Sequence, residues 1–250
     1  AFDITVPTSE PHWVVFYEST DGTTKGDIIT SYLQQSQEPN IIFDTIDELK
    51  QFSAPTSSLQ YVTVLGYYTK GDGGGGNFMW DAASTLPDNG GTIIQSTGVT
   101  TGRWIRIMEE CCISVKIFGA KGDGLAEDTP FIQAALDAVA AMGGGAINFP
   151  KGQYLVTPTD SLFNMLTIGA NTAISLDTGA VIQVGATNRE LYRIFYINGV
   201  TNVKINGGVM IGDRENHTGT TGESGLLVAI TNSKDVSVSD MILYNSWGDG

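Results

Sequence analysis

The feature of this sequence that most limits its possible folds is a strand–corner–strand pattern that recurs three times after residue 162. Ile168, Ile197 and Ile230 occupy equivalent places in the three copies, 29 and 33 residues apart. Six residues later the three copies have Ile174, Val203 and Val236, and two residues after those they have Leu176, Ile205 and Val238. After a polar corner, the second strand of each copy has two further positions of this kind: Ala180 and Ile182 in the first copy, Val209 and Ile211 in the second, and Ile242 and Tyr244 in the third. Because polar residues alternate with the apolar ones, each copy predicts a strand with one buried face.

Intervals of this size, with short strands and polar corners, are typical of the coils of a solenoid. A β-sandwich also contains repeated short strands, but it would not keep one strand–corner–strand pattern in register three times. The unequal intervals indicate loops of different length on a common coil. The pattern therefore favours a parallel β-helix, in which each coil stacks its apolar residues on those of its neighbours.

The sequence divides into three parts of different character. Residues 1–56 are polar and poor in apolar runs, and a capping-box pattern near their end predicts a helix over 46–52. Residues 57–112 are predicted to be a β-rich neck domain, with short strands between glycine-rich turns. Residues 113–250 begin the solenoid, and an amphipathic helix over 130–142 is placed to cover its first coil.

The other end of the predicted solenoid has no comparable cap in the sequence. The chain stops at 247–250, partway into a coil. We therefore expect these 250 residues to be the N-terminal portion of a longer protein, with the β-helix incomplete at its C-terminal end.

Charge and composition exclude several classes of partner. The chain carries 13 basic and 27 acidic residues, a net charge of −14, which argues against binding nucleic acid through a basic surface. Its apolar stretches are too short for membrane insertion. Its histidines, cysteines and carboxylates have no spacing typical of a metal site, and no cofactor is expected. A polysaccharide, bound through its hydroxyl groups and through aromatic faces, remains compatible with this composition.

One long insertion in the coils, residues 212–225, concentrates charge in a chain that is only 16% charged. Glycoside hydrolysis needs two carboxyl groups, and Asp213, Glu215 and Glu223 are the candidates. A lyase needs a base and a cation, and Arg214 with His217 would assist that reaction or bind substrate. The alternative interpretation is a surface loop, held by an Asp213–Arg214 network and local hydrogen bonds.

Two further candidates lie near the end of the chain. Trp247 falls beyond the repeated pattern, which makes it a candidate surface for stacking on a sugar ring. Tyr244, in contrast, repeats a position predicted to point into the core. Asp249 is added as a fourth candidate catalytic carboxylate.

Two stretches of the chain resemble known families. The segments Val115–Gly124, Asp128-Thr129 and Gly143–Tyr154 resemble the start of the pectate-lyase-like β-helix superfamily. That resemblance implies a mainly β fold, a right-handed parallel β-helix with an N-terminal capping α-helix. It also places Asp249 at a coil position where related polygalacturonases carry catalytic aspartates, although the motif around it differs. The superfamily includes hydrolases, lyases and inactive binding proteins, so the resemblance specifies the fold more than the reaction.

The preceding region resembles the neck of bacteriophage tailspikes and capsule depolymerases. The residues that carry this resemblance are Gly66-Tyr67, Gly71–Asp81, Asp88–Thr92 and Gly102–Trp104. The resemblance implies a homotrimer in the virion tail that acts at the host cell surface. Residues 1–56 would then be the virion-attachment segment, docking to phage tail or baseplate proteins.

Two functions from different classes follow from this resemblance. The first is a tailspike enzyme, a hydrolase or lyase that binds and depolymerises capsule or O-antigen during host adsorption. The second is a non-catalytic structural or receptor-binding tail protein, in which these residues serve only attachment. Further coils bearing paired carboxylates would favour the enzyme, and its active site need not be complete within residues 1–250.

Overall fold

The structure is a computed structural model, and it describes residues 41–53, 55, 60–108, 112–158 and 163–248. Most of the predicted attachment segment, residues 1–40, lies outside the described residues. No helix within the described ranges is long and apolar enough to cross a membrane.

The first described region is a five-stranded sheet with a short helix, here called the small sheet. Its elements are β1 (Ile41–Phe43), α1 (Ile46–Gln51), β2 (Tyr61–Val64), β3 (Gly76–Asp81), β4 (Ile93–Ile94) and β5 (Arg103–Arg106). The strand order is β1-β2-β3-β5-β4, and only the β1–β2 pair is parallel. One face of the sheet packs against α1 and encloses a separate apolar core.

The helix α1 begins where the capping box predicts it. The side chain of Thr45 accepts a hydrogen bond from the Glu48 backbone N–H, and the Glu48 carboxylate accepts one from the Asp44 N–H. Ile46 and Leu49 are buried in the core of the small sheet. The strand and helix at 41–51, assigned from sequence to the segment 1–56, thus belong structurally with the β-rich neck. The sequence pattern did not show this because β1 pairs with β2, and the helix α1 and a further stretch of chain separate these two strands in the sequence.

Two tryptophans and a buried arginine form the interior of the small sheet. The Trp80 and Trp104 rings lie 5.0 Å apart between centroids. The Arg106 guanidinium donates hydrogen bonds to the carbonyls of Gly74, Gly75 and Gly91. Burial lowers the pKa of Arg106 to about 10, and three carbonyl acceptors replace the water that this charge has lost.

The second described region is the solenoid. It opens with β6 (Cys112–Ser114), a 3-10 turn (Val115–Phe118), β7 (Asp123–Glu127) and α2 (Thr129–Ala141). Its later strands are β8 (Gly145–Phe149), β9 (Gly152–Val156), β10 (Asn164–Thr167), β11 (Thr172–Val184), β12 (Leu191–Asn198), β13 (Thr201–Ile211), β14 (Ser224–Thr231), β15 (Lys234–Ser239) and β16 (Ile242–Tyr244). The predicted helix over 130–142 is confirmed within one residue at each end.

Every strand pair in the solenoid is parallel, as the repeated pattern predicts. The strands β10, β12 and β14 form one sheet, and the remaining strands form a second. The first half of β11 pairs with β8 and its second half with β9, both in the preceding coil. The first half of β13 likewise pairs with β15 and its second half with β16, both in the next coil. This arrangement confirms the parallel β-helix.

The helix α2 covers the first end of the solenoid core. Its buried residues Ile132, Ala135, Leu136 and Val139 belong to the same apolar cluster as the coil strands. Contacts with β8, β10 and the 3-10 turn fix its position. The predicted capping role is therefore confirmed.

The predicted register is correct between the last two coils. Ile197 pairs with Ile230, Val203 with Val236, and Ile205 with Val238. The second strands also align as predicted, since Val209 pairs with Ile242 and Ile211 with Tyr244.

Between the two earlier copies, the predicted register holds as far as Ile168, since Leu166 pairs with Phe195 and Thr167 with Tyr196, but it is wrong afterwards. Ile174 pairs with Ile205 rather than with Val203, and Ile182 pairs with Met210 rather than with Ile211. There are two reasons. The connection from β12 to β13 is two residues longer than the connection from β10 to β11, which displaces Ile174. After Leu176, β11 has more residues at the corner than β13, which shifts the register again before Ile182.

The shift also explains the position of Tyr244. Met210 is fully buried and takes the core place, and Leu243 pairs with it, whereas Tyr244 pairs with the adjacent, half-buried Ile211 and is 45% exposed. The expectation that Tyr244 packs into the core is therefore wrong.

Candidate functional site

The candidate site is the loop at 212–223, which joins β13 to β14; we call it the coil loop. Its backbone is tied to neighbouring coils, because the Gly212 N–H donates to the Tyr244 carbonyl and the Thr218 N–H donates to the Thr187 carbonyl. The Asn216 N–H closes a turn on the Asp213 carbonyl. The loop is thus an ordered part of the solenoid surface.

A buried carboxylate–imidazole pair lies at the base of the coil loop. His217 Nδ1 donates to Asp213 Oδ2 across 2.8 Å, and both side chains are fully buried. The Thr187 N–H also donates to Asp213 Oδ2. His217 Nε2 faces Gly219 closely, since a Cβ at position 219 would lie 2.6 Å from it. This pair anchors the loop, and it does not present a proton donor to solvent.

Trp247 covers this pair. Its ring stacks on the His217 ring with centroids 3.8 Å apart and an interplanar angle of 11°. The indole N–H donates to the Gly222 carbonyl at 2.8 Å. Trp247 is half-buried, so one face of the ring is occupied by histidine and the remaining surface borders the coil loop.

Tyr192 lies beneath the loop and was not identified from the sequence. Its hydroxyl oxygen accepts hydrogen bonds from the Asp213 N–H at 3.3 Å and the Trp247 N–H at 3.2 Å. Burial, together with the nearby Asp213 carboxylate, raises the pKa of Tyr192 to about 12. The neutral Tyr192 hydroxyl therefore connects Asp213, at the start of the loop, with Trp247. This connection depends on how the coils stack, so it could not be predicted from the local sequence.

Arg214 does not pair with Asp213 as the surface-loop interpretation expected. Its guanidinium donates to the carbonyls of Ser246 at 2.7 Å and Gly248 at 2.8 Å. The side chain is otherwise exposed and carries a positive charge beside the loop.

The two glutamates of the loop are exposed. Glu215 has one contact, a 3.4 Å hydrogen bond from the Asn245 amide. Glu223 precedes β14, where Ser224 forms a bridge with Gly248. Asp249 follows Gly248 in the sequence and lies outside the described residues. The structure thus places six of the seven candidate residues on or beside one loop. Among the candidate carboxylates there, Glu215 and Glu223 are reachable from solvent.

The described residues contain no group of three or more histidines, cysteines or carboxylates arranged to hold a metal ion.

Comparison with known proteins separates the same two regions. Residues 42–109 match the family model of a phage tail protein small four-stranded β-sheet domain. Residues 112–249, more than half of the chain, match the rhamnogalacturonase A/epimerase, pectate lyase-like model.

Individual relatives match over part of their length. The tailspike protein gp49 of Acinetobacter baumannii bacteriophage Fri1, a capsular polysaccharide depolymerase, superposes with a TM-score of 0.60 at 19% identity, over 81% of this chain and 38% of its own. Protein YclG of Bacillus subtilis is 28% identical over 57% of this chain and 27% of its own length. Mannuronan C5-epimerase AlgE1 of Azotobacter vinelandii is 51% identical over 53 residues, which are 21% of this chain and 4% of the epimerase.

The chain therefore spans less than two fifths of the length of each of these relatives. Its fold is that of the phage tailspikes, a small sheet followed by a parallel β-helix. Through its solenoid, the chain belongs to the rhamnogalacturonase A/epimerase, pectate lyase-like family.

Proposed function

We propose that this chain acts in a bacteriophage tailspike that binds and cleaves a bacterial surface polysaccharide, capsule or O-antigen, during host adsorption. The observation that carries the proposal is the order of the two modules in one chain, a phage-tail-type sheet followed directly by a pectate-lyase-like β-helix. The work of such a protein is done in the virion tail, at the host cell surface.

Within the coil loop, the proposed roles follow from accessibility. Glu223 is the proposed acid and Glu215 the proposed base or nucleophile, because both are exposed and free to exchange protons with a bound glycan. Asp213 and His217 are proposed to position the loop rather than to transfer protons, because their side chains are buried and bonded to each other.

The remaining residues are assigned to substrate binding. Arg214 supplies a fixed positive charge at the loop, and the free surface of Trp247 supplies an apolar wall for a sugar ring. Asp249 is proposed as a third carboxylate. Its neighbour in the sequence, Gly248, forms a bridge with Ser224, the residue after Glu223.

The proposed function is tested with the full-length protein and purified capsule or O-antigen. Hydrolysis would release new reducing ends alone, whereas elimination would also create an ultraviolet-absorbing double bond. Neither product from any surface polysaccharide of the phage's host would contradict an enzymatic role.

A second candidate, a non-catalytic receptor-binding protein, is favoured by one observation. Asp213, His217 and Arg214 are all held in internal bonds, as a purely structural loop would hold them. Saturable binding of intact polysaccharide, with no change in its chain length, would select this candidate.

We also propose a homotrimer, and the small sheet offers a surface for it. Tyr61, Met79, Ile105 and Ile93 pair in succession across four strands on the face opposite α1. Tyr61 is 55% exposed and the other three are half-buried, so an apolar row crosses the outer face. Exposed apolar rows of this kind are typical of subunit interfaces.

Sedimentation of the full chain tests the homotrimer. The wild type is expected at three times the chain mass, and Ile105→Glu should shift it to the monomer because a charge would be desolvated at the interface. Leu125→Glu, a matched change at a residue 85% exposed on the solenoid, should leave the trimer intact. A wild-type monomer at micromolar concentration would contradict the proposal.

Virion attachment is proposed for the N-terminal segment, with tail or baseplate proteins as partners. Since Ile46 and Leu49 belong to the core of the small sheet, the informative truncation removes residues 1–40 and keeps α1. The truncated protein should retain polysaccharide cleavage and fail to join virions. Loss of cleavage with a normal fold would refute the assignment.

A further inference from the structure

A cavity lies where the small sheet meets the start of the solenoid, far along the chain from the coil loop. Its volume is about 280 Å³, and we call it the junction pocket. The residues that carry its chemistry are Tyr67, Tyr68, Asp72, Lys116, Lys121 and Asp123. It combines aromatic walls with a few convergent polar groups, which is typical of small-molecule sites.

Two tyrosines form the apolar side of the junction pocket. The Tyr67 and Tyr68 rings lie 4.7 Å apart between centroids at an angle of 59°, so they form adjoining walls. The Tyr68 hydroxyl donates to the Gly119 carbonyl at 3.0 Å, which fixes the ring across the boundary between the two regions. The Tyr68 residue remains 38% exposed. These rings offer a held, accessible apolar surface of the size of one sugar ring.

The polar groups of the pocket are themselves held in place. Both carboxylate oxygens of Asp72 accept backbone N–H bonds, and Asp123 Oδ1 accepts two more. The Lys116 ammonium donates to the Lys121 carbonyl, and the Lys121 ammonium lies 4.8 Å from the Tyr68 ring centroid. Each ammonium group has three N–H donors, so both lysines keep donors for a ligand.

The charges in the pocket balance, with two lysines against two aspartates. A balanced set of donors and acceptors suits a ligand whose groups both donate and accept, and it gives no preference for an anion. A pyranose has hydroxyl groups of that kind on its rim and an apolar C–H face that fits against an aromatic ring. A phosphate or a uronate would instead meet the Asp72 and Asp123 carboxylates.

We propose that the junction pocket binds one residue of a neutral sugar. The ring lies against Tyr68, and Lys121 and Lys116 donate hydrogen bonds to its hydroxyl groups. This site is distinct from the coil loop, and it would hold a glycan chain at the start of the solenoid whether or not the coil loop cleaves it.

Saturation-transfer NMR on the full chain tests the proposal. The probes are the methyl glycosides of glucose, galactose and mannose, with methyl glucuronide as the anionic comparison. We expect at least one neutral glycoside to bind, and Tyr68→Ala to weaken that binding about five-fold through loss of the aromatic wall. Lys121→Gln should weaken it as well, while Tyr244→Ala and Lys204→Gln, matched changes at exposed residues of later coils, should leave it unchanged.

Three results would overturn the proposal. They are no transfer to any neutral glycoside, stronger binding of the glucuronide, and binding that persists in both Tyr68→Ala and Lys121→Gln. Trp247→Ala separates the two sites. Signals lost in that variant and kept in Tyr68→Ala would place the sugar at the coil loop, which refutes the junction pocket and leaves the proposed function standing.

Discussion

The small sheet and the solenoid each contain an aspartate whose carboxylate accepts hydrogen bonds from a glycine-rich turn beside the core. The two carboxylates differ in the number of hydrogen bonds they accept and in their burial. Asp72 accepts hydrogen bonds from four backbone N–H groups, those of Tyr67, Tyr68, Thr69 and Gly74. Asp128, which precedes α2, accepts two, from Lys121 at 2.6 Å and Gly122 at 2.9 Å. Asp72 is half-buried, and Asp128 is fully buried.

The pKa values of the two carboxyl groups move in opposite directions for this reason. Burial acts to raise both. At Asp72, four donors outweigh burial, and the pKa falls below its ordinary value. At Asp128, burial outweighs two donors, and the pKa rises. The direction of the pKa shift of such a carboxyl group therefore depends on two opposing effects. Backbone N–H donors lower the pKa, and burial raises it.

The largest expected effect is at Asp128. Asp128→Ala removes a buried side chain and leaves two partly buried backbone N–H groups without acceptors. Each such loss costs about 1–3 kcal/mol, so we expect about 3 kcal/mol of lost stability. Denaturant unfolding measures it. Asp137→Ala, on the exposed face of α2, is the control and should change stability by less than about 0.5 kcal/mol. Equal losses of stability in Asp128→Ala and Asp137→Ala would show that the hydrogen bonds of Asp128 do not stabilise the fold.

A smaller loss is expected at Asp72 despite its larger number of bonds. Because this turn is more exposed, water replaces part of what Asp72→Ala removes, and we expect about 2 kcal/mol. Hydrogen exchange should rise in β3 of the small sheet and stay unchanged in β13 of the solenoid. A loss larger than that of Asp128→Ala would reverse the comparison.

The smallest effect is a pH dependence of opposite sign in the two regions. The stabilising contribution of Asp72 is present above pH 3.8 and is lost as the pH falls through its lowered pKa. The pH-dependent part of the Asp128 contribution is fully present below pH 3.8 and is lost as the pH rises through its raised pKa, while the hydrogen bonds to the turn remain. Stability measured from pH 2 to 7 in Asp72→Asn and Asp128→Asn, each against wild type, should show differences with opposite slopes.

The coils show most clearly which parts of the fold can be predicted from the sequence. The alternation of apolar and polar residues predicts the parallel β-helix and the pairing of Ile197 with Ile230, because the last two coils have corners of equal length. It misaligns Ile174 because the connection before β13 is two residues longer than the connection before β11. It misaligns Ile182 because β11 has extra residues at the corner after Leu176, and such connecting residues give no periodic signal. Residues 114–118 are rich in apolar and β-branched side chains, which favours a strand, yet Val115–Phe118 form a 3-10 turn that Ser114 caps.

At the candidate site, the sequence predicts the loop and its charged residues but not their partners. The Asp213–His217 pair has helical spacing within a loop, and Arg214 reaches carbonyls 32 and 34 residues later in the chain. Tyr192 contributes from 21 residues earlier. Contacts of this kind depend on how the coils stack, and no local pattern encodes them.

The most direct test of the central claim is the rate of polysaccharide cleavage by Glu223→Gln in the full-length protein. The account predicts a rate lower by a factor of about 10² or more, as expected for the loss of an acid–base group, with nearly unchanged thermal stability. Asp177→Asn, at an exposed carboxylate on an earlier coil, serves as the matched control and should cleave at the wild-type rate. Cleavage by Glu223→Gln at the wild-type rate would contradict the claim that the coil loop carries the chemistry.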